Sequence, residues 1–572
     1  MAPYINRYIG LSGIFLFLVT TATFAQTPII DLLSSELRRE MDVLEKQATP
    51  VYFLAYKVTE NQHIEIESDF GNITAENETS SRILDINLRV GDYNFDNTHI
   101  PKNQNRFRNR SQVTSVNLPV ENNDQIILQR IWEATDDNYK NAVSTYMNLK
   151  SQTDDTIKSQ DFSMEGAYEF EEPPAGKIQD IIDREKWAEN LREYSSVFNR
   201  GKEVIRGHVR MSCTIDRTYY VSSDGSRIIQ NHISTVLIVA GIIVSEDGDR
   251  IPLEQTYYRE RPEDLPPSDT IMLRVKEMVD DLVALRKAPK AEPYTGPAIL
   301  SARASGVFFH EIFGHRIEGN RLNDEADGQT FKSRIGEHVL NRNLSIYSDP
   351  TQQHYKGKYL NGYYKYDDEG IPGQRVLVVE EGILRNFLMS RKPVGDINQS
   401  NGHGRAAPGR MPVSRQSNLF ITAKKTKTDE QLRALLIRKC LKQGLQYGYF
   451  IEEVAGGFTT TDRYRPNAFN ITPRKVYRVY VDGRPDELVR GVSLIGTPLV
   501  MFSEIDAAGD NSDVFCGICG AESGGVPVST ISPALLVNKI ETQKEPEGNI
   551  ELPVLPKPEP GESRKITNGK NE

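Results

Sequence analysis

Cysteine is scarce: four in 572 residues, too few for a disulfide-dense scaffold. An excess of positive charge is missing as well. The chain carries 69 Lys and Arg against 79 Asp and Glu, a net charge of −10, whereas a chain built to grip nucleic acid is more often basic. After residue 25, no apolar run approaches the roughly 20 residues that cross a bilayer as a helix. No repeat of the solenoid kind is present. What remains is 38% apolar and 26% charged, which supports sizeable cores and excludes a wholly disordered or collagen-like chain. The length suits two or three domains.

Arg7, the apolar stretch at residues 9–19 and the small residues before Ala25 form a secretory signal. Cleavage after Ala25 is expected, leaving a soluble, exported protein, periplasmic or secreted. A helix follows at residues 27–47, where Ile30, Leu33, Leu37, Met41 and Leu44 make one stripe. Strand-like runs occupy residues 51–58, 63–66 and 83–90, the last two alternating apolar and polar. Residues 123–200 read mainly as helix, broken near Pro173-Pro174. Strands return at 207–244 and a helix at 268–286, after which Pro289, Pro293 and Pro297 mark a boundary. Hairpins are expected at 374–386, around Glu381-Gly382, and at 475–489, around Asp482-Gly483. Between them a helix opens with the capping box Thr428-Asp429-Glu430-Gln431. Its apolar face includes Cys440, read as a buried thiol. From Lys544 onward prolines stand among charges, as in a disordered tail. The expected fold class is α+β. A signal fills 1–25, and an N-terminal α/β region of mixed sheets and helices, in one or two subdomains, fills 26–295. A β-rich domain fills 296–543, and the tail 544–572.

One motif is sharp. Residues 306–319, GVFFHEIFGHRIEG, contain His-Glu-x-x-x-His. Two imidazoles and a carboxylate within six residues suit a site in which the histidines bind a metal and the glutamate activates water. The spacing is one residue longer than the common version. On a helix, side chains four apart lie about 40° apart, but those five apart lie about 140° apart. His310 and His315 meet one ion only if the helix bulges or ends between them, and Gly314 is a suitable place. The alternative is an ordinary buried helix with two hydrogen-bonded histidines. A third ligand separates these readings, and thiolate is a favoured ligand for zinc. Cys516 and Cys519 are the only clustered thiols, within a glycine-rich segment at 514–528. They read equally as a CxxC disulfide or redox couple.

These residues resemble the TldD/PmbA metalloproteases, the family also known as modulators of DNA gyrase. Its active members carry a helix very like GVFFHEIFGHRIEG and, downstream, a cysteine–glycine segment ending in Val-Pro-Val. Here that segment runs from Cys519-Gly520 to Val526-Pro527-Val528. Further similar stretches occur in the same order at 367–373, 404–405, 415–418, 489–492 and 505–510. The resemblance spans residues 49–540 and is only topological in the first half. It implies that His310, His315 and Cys519 hold Zn2+ with one position left open. It also implies that Glu311 takes a proton from water and passes it to the leaving amine, and that 296–543 is a catalytic domain. Arg415 and His403 are candidates to hold the oxyanion, and Glu318 to orient a ligand imidazole. The resemblance further implies an extended or unfolded polypeptide as substrate, bound by strand addition. It implies a homodimer, or a heterodimer with an inactive relative, around a closed chamber.

The chain departs from the family pattern in three places: the signal, Cys516 three residues before the ligand cysteine, and the unusual segment 458–462. Competing readings are a catalytically silent partner or structural zinc protein, which the retention of Glu311 argues against, and a CxxC thiol-disulfide protein. The latter expects a thioredoxin-like βαβ frame around the pair. A glutamate from Glu452-Glu453 as third ligand, as in the third class of dipeptidyl peptidases, is the remaining alternative.

Overall fold

Alternating residues in the first half build one seven-stranded sheet. The structure, a computed structural model, describes residues 28–100, 114–152, 160–323, 330–459, 461 and 469–544. The expected signal at 1–25 and the tail from residue 545 lie outside the described residues, while Lys544 ends a strand. Helix α1 (Ile29–Leu44) precedes β1 (Val51–Asp69) and β2 (Asn72–Val90). The runs expected at 51–58 and 63–66 are thus one strand. The polar residues Thr59, Glu60, Asn61 and Gln62, which break the apolar pattern between them, are paired on both sides.

Helices α2 (Asp124–Gln152) and α3 (Arg184–Ser196) flank the short strand Glu169–Glu171. Then come β3 (Val204–Ser222), β4 (Arg227–Val244), β5 (Arg250–Arg259) and α4 (Ser268–Lys287). Strand β5 was not expected, because Pro252 weakens a strand pattern. It is tolerated because β5 pairs only with β4 among the described strands, at the sheet edge. The order is Thr114–Asn117, β2, β1, β3, β4, with β5 and Glu169–Glu171 both along the outer side of β4. The Glu169–Glu171 pairing is parallel and the others antiparallel, so the sheet is mixed.

Leu54, Tyr56, Val58, Ile64 and Ile66 of β1 share one buried face, which α1 to α4 cover. The opposite face carries Lys57, whose Nζ donates to Asp368 at 3.0 Å and lies 3.6 Å from Asp85. Gln230 donates to the Tyr366 carbonyl at 2.9 Å from the same sheet. This face therefore rests on the second half of the chain through paired, desolvated groups.

The second half holds a twelve-stranded sheet. Its main elements are β6 (Tyr294–Leu300), α5 (Ala302–Ile312), β7 (Leu344–Ser348), β8 (Val376–Glu380), β9 (Asn418–Ala423), α6 (Asp429–Lys442), β10 (Tyr447–Thr459), β11 (Phe469–Tyr480), β12 (Val492–Gly496), β13 (Ile505–Ala521) and β14 (Gly524–Lys544). Five of these strands close a ring: β14 pairs with β12, then come β11, β10 and β6, and β6 pairs back to β14. Helix α5 packs against β14, β10 and β13. Both expected hairpins form. At the first turn Glu381 and Gly382 take φ of 45° and 83°, the twist a two-residue hairpin requires. The capping box at Thr428 closes in both directions, and Cys440 is fully buried. The molecule is α+β. No described helix is long and apolar enough to cross a membrane.

Candidate metal centre

Helix α5 begins at Ser301, whose hydroxyl accepts from the Ala304 amide at 3.1 Å, a side-chain N-cap. It ends at Ile312, and residues 314–316 form a separate 3₁₀ turn. The helix therefore stops between the two histidines, which lets side chains five apart converge. Arg316, buried, donates Nη1 to the carbonyls of Glu311 at 3.1 Å and Ile312 at 3.0 Å. That satisfies acceptors left over at a helix end. A Cβ on Gly314 would lie 1.9 Å from Gln416 Oε1, so glycine here is set by close approach. One turn before His310, a Cβ on Gly306 would lie 3.1 Å from Phe515 Cβ and 3.2 Å from the Thr530 carbonyl oxygen. The helix is thus pressed onto the hairpin that carries the cysteines.

His310, His315 and Cys519 are all buried, and their ligand atoms lie within 4.8 Å of one another. Cys519 Sγ is 3.5 Å from His315 Nε2. The ring nitrogen Nδ1 of His315 meets Glu318 Oε2 at 3.0 Å, which leaves Nε2 to face the thiol. Nδ1 of His310 is buried with no hydrogen-bond partner among the described residues, an orphaned polar atom of the kind a missing group explains. Two imidazoles and a thiolate suit zinc, so the residues present fit a metal. Burial pushes the Cys519 thiol up, but the His315 and His310 rings outweigh it and hold it well below the ordinary range. Burial lowers His315, yet Cys519 and Glu318 bring it up to about 10. Burial of Glu318 is likewise outweighed, by His315 and Arg321, so it stays a carboxylate.

Glu311 directly follows the first histidine and is 8% exposed. A Cβ on Gly457 of β10 would lie 2.9 Å from its Cγ, so that strand backbone sits against it. The other candidates are placed differently. The ring of His403 is fully buried between the Asn401 carbonyl, at 3.0 Å from Nδ1, and the hydroxyls of Ser348 and Ser417, at 3.0 and 3.2 Å from Nε2. With both nitrogens occupied in the interior, it has none to offer an oxyanion. The Arg415 guanidinium is also buried, and its terminal nitrogens bind Ser523 and the carbonyls of Gly524 and Cys519. It holds the hairpin, not a substrate oxygen.

Cys516 and Cys519 stand three apart on β13, in a stretch of regular pairing with β14. Residues an odd number apart on a strand face opposite sides, and both thiols are free. Cys516 Sγ meets Ser529 Oγ at 3.3 Å. In this conformation the pair is not a disulfide. Glu452 lies 3.2 Å from Lys475, and neither it nor Glu453 joins the histidines among the described residues. Sequence reasoning passed over Arg316, Arg321 and Gln416. The one available signal was two arginines within a segment otherwise apolar enough to be buried.

Residues 293–544 match the family described as the PmbA/TldA metallopeptidase C-terminal domain. A metalloprotease of Methanocaldococcus jannaschii is 27% identical over 56% of this chain and 66% of its own length. A metalloprotease TldD homolog of Haemophilus influenzae is 27% identical over 47% of this chain and 52% of its own. A zinc metalloprotease TldD homolog of Saccharolobus solfataricus is 25% identical over 56% and 68%. The matched part of the chain thus spans about half to two thirds of these relatives. A Thermotoga maritima structure described as a modulator of a DNA gyrase aligns with a TM-score of 0.60 at 17% identity, covering 89% of this chain and 99% of that one. TldE from Thermococcus kodakarensis aligns at 0.59 and 12% identity, covering 89% and 100%. At such identities the structural likeness is one of fold. Fold, motif order and the matched domain agree: residues 293–544 belong to the PmbA/TldA metallopeptidase C-terminal domain family, and the chain as a whole shares the fold of these structures.

Proposed function

We propose that this chain is a zinc-dependent peptidase that hydrolyses peptide bonds in extended or unfolded polypeptides. One observation carries the reading: three buried donors, His310, His315 and Cys519, converge within 4.8 Å directly beside a glutamate. His315 would hold the ion through Nε2, because Glu318 occupies Nδ1, and Cys519 would hold it through Sγ. Bound zinc supplies Lewis acidity, polarising a scissile carbonyl and bringing the pKa of water down to about 7. Glu311 has no hydrogen bond to its carboxylate among the described residues, so it is free to accept a proton and return it to the leaving amine. Beyond Ile451, β10 pairs only with β11 among the described strands. The stretch holding Gly457, next to Glu311, has one edge without a strand partner among the described residues. An extended peptide offers that edge the same N–H and C=O groups whatever its sequence, which supports strand addition as the binding mode. Residues 1–25 support export to the periplasm or beyond. A homodimer, or a pairing with an inactive family member, is the assembly proposed.

The test is Glu311→Gln, which removes the base and keeps the shape. Zinc content should stay at the wild-type level while hydrolysis falls by about 10²–10⁴-fold. Wild-type enzyme should cut a denatured protein and spare the same protein folded. Activity of the variant within a few-fold of wild type, or loss of its metal, overturns the mechanism.

A further inference from the structure

The two ligand-bearing segments meet through buried charge. Glu318, with no solvent exposure, shares Oε2 between His315 Nδ1 at 3.0 Å and Arg321 Nε at 2.7 Å. Its Oε1 accepts no hydrogen bond among the described residues and faces Arg415 Nε at 3.5 Å. From there Arg415 reaches the β13–β14 hairpin. Nη2 donates to the carbonyl of Cys519 at 2.6 Å, and Nη1 donates to Ser523 Oγ at 2.7 Å and the Gly524 carbonyl at 3.0 Å. Arg321 reaches the same hairpin, donating Nη2 to Glu522 at 3.1 Å. One carboxylate thus holds the ring of one ligand and, through two guanidiniums, the hairpin that carries another, Arg415 by its backbone and Arg321 by the Glu522 carboxylate. Only a guanidinium presents several donors in a fixed plane for such a clamp.

We propose that Arg415 is a positioning residue of the metal centre: bound to the carbonyl of Cys519 and set against Glu318, it fixes the thiolate where the two histidines can share an ion with it. This rests on the metal-centre reading above. It does not follow from burial alone, since a buried arginine that merely filled space would leave the ligand set unchanged when replaced.

Cobalt(II) and zinc binding to the purified full chain test the assignment. Wild type should show a thiolate-to-cobalt charge-transfer absorption in addition to d–d bands. Arg415→Met, and Arg415→Lys with its charge kept but its fork removed, should retain the wild-type circular dichroism. Both should lose most of the charge-transfer band and keep d–d absorption from the histidines. Their zinc affinity, read by competition with a chromophoric chelator, should fall by about 10–100-fold. An unchanged band and affinity in both variants overturns the proposal. So does failure of both to fold, which would make the residue a general structural one. A wild-type chain that binds no cobalt removes the metal-centre reading and the proposal with it.

Discussion

Gly314→Ala probes the junction on which the site depends. Gly314 is not among the residues with positive φ, so alanine costs nothing in backbone conformation and the penalty is purely steric. Its Cβ would stand 1.9 Å from Gln416 Oε1, 2.2 Å from Cδ and 2.5 Å from Nε2. Reaching ordinary contact at about 3.4 Å means moving the amide by roughly 1.5 Å, and overpacking of this kind costs about 1–3 kcal/mol. Gln416 is 1% exposed and has no solvent to retreat into, so part of the strain falls on the turn that carries His315. The expected result is a metal-free protein destabilised by about 1–3 kcal/mol and a weaker zinc affinity. A double-mutant cycle isolates the cause. Gln416→Ala empties the space, and in that background Gly314→Ala should cost little, giving a coupling of about 1–3 kcal/mol. Denaturant unfolding of the four metal-free proteins and zinc titration of each provide the readings. Strict additivity, or a Gly314→Ala protein as stable as wild type, would refute the argument.

Cys519→Ala and His310→Ala should each weaken zinc binding, whereas Cys516→Ala, on the opposite face of β13, should leave it unchanged; metal analysis after dialysis distinguishes them. His403 titrates at about 3 in the fold, chiefly because of burial, against about 6.5 in an unfolded chain. Below pH 6.5 the unfolded state therefore takes up a proton that the folded state does not, so stability from this group is full above pH 6.5 and is lost as pH falls towards 3. His403→Gln removes that dependence. From pH 7 to pH 5, wild type should lose about 2 kcal/mol more than the variant, read from unfolding curves at each pH, and parallel losses would show that the ring is not buried neutral.

The parts legible in the sequence are those fixed by local chemistry. Glu381-Gly382, Asp482-Gly483 and the Thr428 box each specify a turn or cap within four residues, and each forms. His-Glu-x-x-x-His was legible as a possible site, and the requirement that the helix end between its histidines follows from angular spacing alone. The rest depends on distant partners. The polar residues 59–62 read as a gap because their pairing with β2 and β3 lies outside any local window. Pro252 disguised an edge strand, since edge position is a property of the sheet and not of the segment. Arg415 was legible as a cation worth noticing, but the carbonyls it binds belong to residues 104 and 109 positions away. By spacing alone the two cysteines look alike; the resemblance points to Cys519, and the pleat of β13 sets the two thiols on opposite faces.

His315 and Cys519 are 204 residues apart, and β14, beyond the cysteine, pairs with β6, β9, β12 and β13. At about 5–20 residues per second on a ribosome, the first ligands are made roughly 10–40 s before the third. Throughout that interval the ring of strands has no closing member, and the histidines have no thiolate to converge on. The nascent chain is itself an extended polypeptide, the kind of material proposed as substrate. On the proposed reading, splitting the ligands across the length of the domain makes the enzyme latent by topology, so competence would arrive only when the chain has folded into a shape that no longer resembles what it would cut.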